Sequence, residues 1–132
     1  MSVQASFRCR RLVNHVAGAR HWVRDQLTAA EVPAAVTRDM AIVTAELVTN
    51  ALEHGCGEWI DVDLSVHGSS VGLAVTSDGK VDLGLPRHWT MPPPGAVSGR
   101  GLALIAALVS DVRWTARNGR LSVRVRRAFE PA

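Results

Sequence analysis

Ala45-Glu46-Leu47-Val48-Thr49-Asn50-Ala51-Leu52-Glu53-His54-Gly55 is the stretch whose reading decides the fold of this 132-residue chain. Glu46, Asn50 and His54 recur at every fourth position, and on an α-helix that spacing moves each side chain only about 40° around the axis. A carboxylate, an amide and an imidazole therefore line one narrow stripe. Met40, Thr44, Leu47, Val48, Ala51 and Leu52 fall on the opposite face and read as core. The spacing predicts a helix from Ala34 to His54. Pro33 suits its start, and Gly55 and Gly57 suit its end. The ordinary use of such a stripe is a solvated helix face. Its chemistry allows more. The Asn50 amide oxygen is a suitable ligand for Mg2+, which needs only one or two protein ligands when phosphates supply others. Glu46, one turn earlier, could orient or deprotonate an attacking hydroxyl or water. His54 either reaches a phosphate or caps the helix end.

Working outward, the hydrophobic period changes from 3.6 to 2 after Gly57. Trp59 to Val66 alternates as a strand, and Val71 to Thr76 reads as its hairpin partner across His67-Gly68-Ser69-Ser70. Asp111 to Ala116 and Leu121 to Ala128 form a second pair across Arg117-Asn118-Gly119-Arg120, whose Asn-Gly step is a strong hairpin signal. Gly101 to Val109 reads as helix. On the N-terminal side, residues 3–8 suit a short first strand. Leu12, Val16, Ala19, Val23 and Leu27 recur at helical spacing within 9–29. Pro86, Pro92, Pro93, Pro94, Gly95 and Gly99 exclude regular structure from 84–100, and so long a loop in a small domain is usually functional. Helices stacked on one face of a mixed, mostly antiparallel sheet make an α+β two-layer sandwich. The chain is expected to be one domain, 1–132.

Composition agrees with a packed core: 47% hydrophobic and 20% charged residues are the proportions of an ordinary globular domain. The apolar stretch from Gly101 to Val109 is far short of the ~20 residues that cross a bilayer. No secretory signal is visible, and two isolated thiols, Cys9 and Cys56, suit a reducing compartment. A cytoplasmic protein without membrane contact is expected. The formal charge is +3, and of fifteen cationic residues only Lys80 is a lysine. Arginines cluster at Arg8, Arg10, Arg11 and again at Arg124, Arg126, Arg127. With twelve acidic residues against them and no DNA-docking motif in the chain, they read as solvated faces of a helix and a strand, and a nucleic-acid partner is disfavoured.

Two further motifs flank the second half. In Ser98-Gly99-Arg100-Gly101-Leu102, two glycines precede an apolar helix, so the backbone can approach an anion and free N–H groups can face it. Arg100 could add a charge-assisted contact. No Gly-Lys-Ser/Thr follows and no strand leads directly into it, which excludes a Walker A loop and a Rossmann fingerprint. In Val75-Thr76-Ser77-Asp78-Gly79, a carboxylate at a strand end could accept a hydrogen bond from an exocyclic amine, with Gly79 leaving room for a flat base.

In order and spacing these motifs resemble the Bergerat-fold (GHKL) ATPases shared by sensor histidine kinases, gyrase-type enzymes and bacterial anti-sigma-factor kinases. The small, single-domain anti-sigma-factor serine/threonine kinase group is the most similar. Glu46-Leu47-Val48-Thr49-Asn50-Ala51 with His54-Gly55 looks like that family's N box, Val75 to Gly79 like its first glycine box, and Gly99 to Leu102 like its second. The Pro-rich segment 86–98 stands where the family has its ATP lid. The resemblance implies that ATP and Mg2+ are bound, with Asn50 on the metal, Glu46 as general base, and Asp78 with Gly79 reading adenine. Gly99 and Gly101, flanked by Arg100 and Leu102, would hold the phosphates, with His54 nearby. It implies an anti-anti-sigma protein and a sigma factor as partners, and for some members a homodimer. One feature departs from the family. Alignment on Gly79 puts Ser77 at the usual aspartate position, Asp78 at the variable one and Val81 at the second glycine. Asp78 takes the adenine role only if the strand ends in a bulge or turn, since a one-residue slip moves a side chain to the other face. Otherwise adenine recognition weakens, and the alternative is a binding module that switches partners with little catalysis.

Overall fold

The helix predicted from Ala34 to His54 forms over those residues, and its apolar face sets the plane of the core. Met40, Thr44, Leu47, Val48 and Ala51 are buried, while Glu46 and Asn50 are half-buried and His54 is exposed. Thr44 lies fully inside, its hydroxyl satisfied by donating to the Met40 carbonyl at 2.7 Å, as a buried hydroxyl in a helix must be. A computed structural model describes residues 2–78 and 99–130, with the backbone alone for 99–102. Along it run β1 (Ser2–Arg10), a 3-10 turn (Val13–His15), α1 (Val16–Ala29), α2 (Ala34–His54), β2 (Cys56–His67), β3 (Ser70–Asp78), α3 (Gly99–Leu108), β4 (Asp111–Arg117) and β5 (Arg120–Ala128). Gly79, Val81 and the lid segment up to Ser98 lie outside the described residues.

The five strands form one sheet in the order β1-β2-β3-β5-β4, and all four neighbouring pairs are antiparallel. The helices cover one face, the two-layer α+β sandwich expected. Period-2 alternation assigns each strand's faces: Val71, Leu73, Val75 and Ser77 of β3 point to the helix layer and are buried. Gly72, Ala74, Thr76 and Asp78 point to the other, open face. Ile60, Val62, Leu64 and Val66 of β2 join the same core, with Leu121 and Val125 of β5.

The N-terminal reading needs two corrections. The first strand is longer than 3–8: all nine residues of Ser2–Arg10 pair with β2, including Cys9 opposite Ile60 and Arg10 opposite Trp59. The helix therefore begins only at Val16. Leu12, which fits the helical spacing, is extended and 48% exposed. Residues 9–10 end the strand, where Cys9 continues the alternation of Val3, Ala5 and Phe7, and Val13–His15 form a 3-10 turn ahead of the helix. Phe7 from that strand stacks on Trp22 of α1 at 5.3 Å.

A corresponding contrast is expected in stability. Met40→Ala, which empties a fully buried site, should cost about 2–5 kcal/mol. Leu12→Ala should stay within about 0.5 kcal/mol, as surface changes do. Urea denaturation of both variants checks this, and a Leu12 cost as large as that of Met40 would mean that the helix packs through residue 12.

Candidate functional site

The last turn of α2 and the end of β3 are pressed together. Gly55 follows α2 in an extended conformation, its N–H bonded to the Ala51 carbonyl at 2.9 Å. A Cβ at Gly55 would run into that carbonyl, stand 2.8 Å from the Ser77 Oγ and 3.2 Å from the Asp78 carbonyl oxygen. Any side chain here would separate α2 from β3, so glycine is what permits the contact. Ser77 is 2% exposed and lies on the helix side of the sheet. Thus the stripe helix ends over the hydroxyl of Ser77.

The direction of α3 follows from its connection. Only Val109 and Ser110 join it to β4, so the helix folds back antiparallel to that strand. β4 begins opposite Arg126 and ends opposite Arg120, and in β3 those positions pair with Gly72 and Asp78. The far end of α3 is fixed independently: Arg127 donates to the Leu108 carbonyl and forms an ion pair with Asp39 of α2 at 3.0 Å. Hence Gly99-Arg100-Gly101-Leu102, the first turn of α3, lies toward the same end of the sheet as Asn50, His54 and Ser77. The N–H groups of this first turn and the positive end of its dipole face that end.

Asp78 does not join this constellation. β3 stays in register with β5 through its last residues, Ser77 opposite Leu121 and Asp78 opposite Arg120. The irregularity that would have turned Asp78 lies instead in β2, between Cys56 and Ile60. The Asp78 carboxylate therefore sits on the open face, 3.4 Å from Arg120 Nε. Strand alternation gives the inward position at this end of β3 to Ser77. Glu46 and Asn50 share one side of α2. His54, at its end, is exposed, with Nε2 3.8 Å from the Glu53 carboxylate.

On the open face, Asp61 accepts from Arg8 Nε at 2.8 Å and from Arg120 at 2.7 Å. Burial alone would raise its pKa, but these hydrogen bonds and the two positive charges outweigh it and hold the carboxyl below the usual value. Arg8 and Arg10 also lie over the Trp59 ring, at 5.3 and 5.1 Å.

Arg11 and Arg127, expected among the solvated arginines, both have internal partners. For Arg127 a signal existed: it continues the inward alternation Leu121, Val123, Val125. For Arg11 none did, because its partners are backbone carbonyls.

Residues 9–127 match the family of histidine kinase-like ATPase domains, and the chain belongs to that family, as the motif order implied. Among solved structures, it is similar to the crystal structure of the RsbU and RsbW domains of Rv1364c from Mycobacterium tuberculosis. The two superimpose with a TM-score of 0.72 at 22% sequence identity over 98% of this chain and 34% of that one. The chain thus spans about a third of that longer chain, and the likeness is one of fold. No curated protein matches the sequence.

Two outcomes are expected. Gly55→Ala should destabilise the fold by about 1–3 kcal/mol through overpacking, read by denaturant titration; an unchanged midpoint would mean that α2 and β3 are not in contact there. For Asp61, a depressed folded pKa adds stability that is present above the unfolded value of about 3.9 and lost as pH falls through the folded one. Asp61→Asn should therefore lower the melting temperature at pH 7, with the gap to the parent narrowing as pH falls below about 3.9; a gap independent of pH would contradict the ion pairs.

Proposed function

We propose that this chain is a protein serine kinase of the anti-sigma type. In this reading it binds ATP with Mg2+ between the α2 stripe and the α3 N-terminus, phosphorylates an anti-anti-sigma partner in the cytoplasm, and thereby controls a sigma factor. One observation carries the reading: the last turns of α2, the inward end of β3 and the first turn of α3 lie at one end of the sheet. Membership of the ATPase family supports nucleotide binding, and the RsbW domain in the similar structure motivates the choice of partners.

The donor set fits the ligands. Among the described residues no cluster of three His, Cys, Asp or Glu could hold a metal alone. A single amide such as Asn50 suffices for a magnesium ion that takes its remaining ligands from phosphate oxygens and water. When bound, that ion offsets phosphate charge. The chain's own contributions are Asn50 orienting the metal–nucleotide pair, the α3 N–H groups meeting phosphate oxygens, and Glu46 aligning the partner's hydroxyl. Phosphoryl transfer relies on such positioning and electrostatics more than on covalent help. Among the described residues no helix is long and apolar enough to cross a membrane.

A second reading has its own observation. With Asp78 turned to the open face, no carboxylate stands at the inward end of β3 among the described residues, where the family has the one that reads adenine, which favours weak nucleotide binding and a module that acts through protein contacts. Titration with ATP separates the two. Saturable Mg2+-dependent binding that Asn50→Ala abolishes supports the kinase; no saturation at millimolar nucleotide supports the module. Glu46→Ala should spare binding and remove transfer to the partner, measured with radiolabelled ATP, and unimpaired transfer would reject Glu46 as the base. Asp78→Asn should leave ATP affinity unchanged, and a large loss would return Asp78 to the site.

A further inference from the structure

Arg11 satisfies three features of one junction. Its Nε donates to the Gly57 carbonyl at 2.9 Å and its NH1 group to the Leu52 carbonyl at 2.9 Å. Its backbone N–H donates to the Glu58 carbonyl at 2.7 Å. Each partner has a reason to need it. Helices commonly end with a left-handed glycine whose N–H groups take up the last free carbonyls, but Gly55 is extended (φ −84°, ψ 175°). Leu52 O is therefore left to an outside donor, and a cation there also opposes the negative end of the helix dipole. Beyond Gly55, β2 is irregular between Cys56 and Ile60, with Gly57 in the left-handed region (φ +81°). Gly57 and Glu58 thus turn carbonyls out of the β2–β3 ladder, and Arg11 collects both. Gly57 packs directly against the Asp78 side chain, so the held turn is the one that fixes α2 against the end of β3.

We propose that Arg11 is a positioning residue for the site between α2 and β3. It clamps the α2–β2 junction from β1's end, setting the distance between the turn carrying Asn50 and His54 and the inward Ser77. It touches no part of that stripe and acts only through the backbone. A lysine cannot reproduce it, because one ammonium lacks the fork that spans two carbonyls. The inference rests on the nucleotide reading above.

The test compares the parent, Arg11→Ala, Arg11→Lys and Val71→Ala, the last emptying a fully buried position at the opposite end of β3. Affinity for ATP with Mg2+ is measured by calorimetry well below each melting temperature, and amide hydrogen exchange is followed over residues 52–60. Arg11→Ala should weaken binding about tenfold, the size expected for losing charged hydrogen bonds, with faster exchange across the junction. Arg11→Lys should recover only part, and millimolar guanidinium should restore affinity to Arg11→Ala alone. Val71→Ala should lose melting temperature and keep its affinity. Parental affinity in Arg11→Ala, or an equal loss in Val71→Ala, overturns the positioning role while leaving the nucleotide reading intact. No saturable binding by the parent overturns both.

Discussion

The contact between the end of α2 and the end of β3 is the constraint on which the rest depends. Gly55 lies against the Ala51 carbonyl, the Ser77 hydroxyl and the Asp78 backbone, a fit open only to a residue without a side chain. That contact aligns a helix with a strand so that both end at the same edge of the molecule. The two-residue link from α3 to β4 then brings a third element's N-terminus to that edge. Arginines hold the arrangement from both sides, Arg11 at the α2–β2 junction and Arg127 at the other end of α3, where it also reaches Asp39. Both use a fixed positive charge to satisfy helix carbonyls that the helices cannot satisfy themselves.

The two faces of the sheet divide the labour. Along β3 the inward face is apolar until Ser77, where a hydroxyl replaces a hydrophobe at the position nearest α2's end. The outward face carries charge: Arg8, Asp61, Arg120 and Asp78 link four strands. The one-residue displacement of the aspartate relative to the family pattern thus has a definite consequence. It moves a carboxylate from the side of the proposed site to an ion-pair network on the far side.

Much of this was legible in the chain. α2 could be read from its ends because the i, i+4 polar stripe and the apolar face agree, and both hairpins could be read because turn chemistry and alternation coincide. The start of α1 differs from the periodicity because Leu12 continues a helical period by accident, while pairing with β2 takes the chain to Arg10 and a 3-10 turn at Val13–His15 precedes the helix. The side taken by Asp78 was open in the sequence, since it depended on which strand carries the bulge. Alternation alone cannot place a bulge, and only the register of β2 against β3 resolved it. The internal role of Arg11 had no sequence signal, because backbone carbonyls leave no mark on side-chain pattern.

The central claim is that the edge formed by α2, β3 and α3 on the helix side of the sheet receives nucleotide. Amide chemical shifts recorded with Mg2+ alone and then with ATP added test it directly. The account predicts saturable shifts concentrated at Glu46 to Gly55, Ser77 and the first turn of α3, with Asp61, Arg124 and Arg126 on the open face undisturbed. Shifts confined to the open face, or none at millimolar ATP, would contradict it.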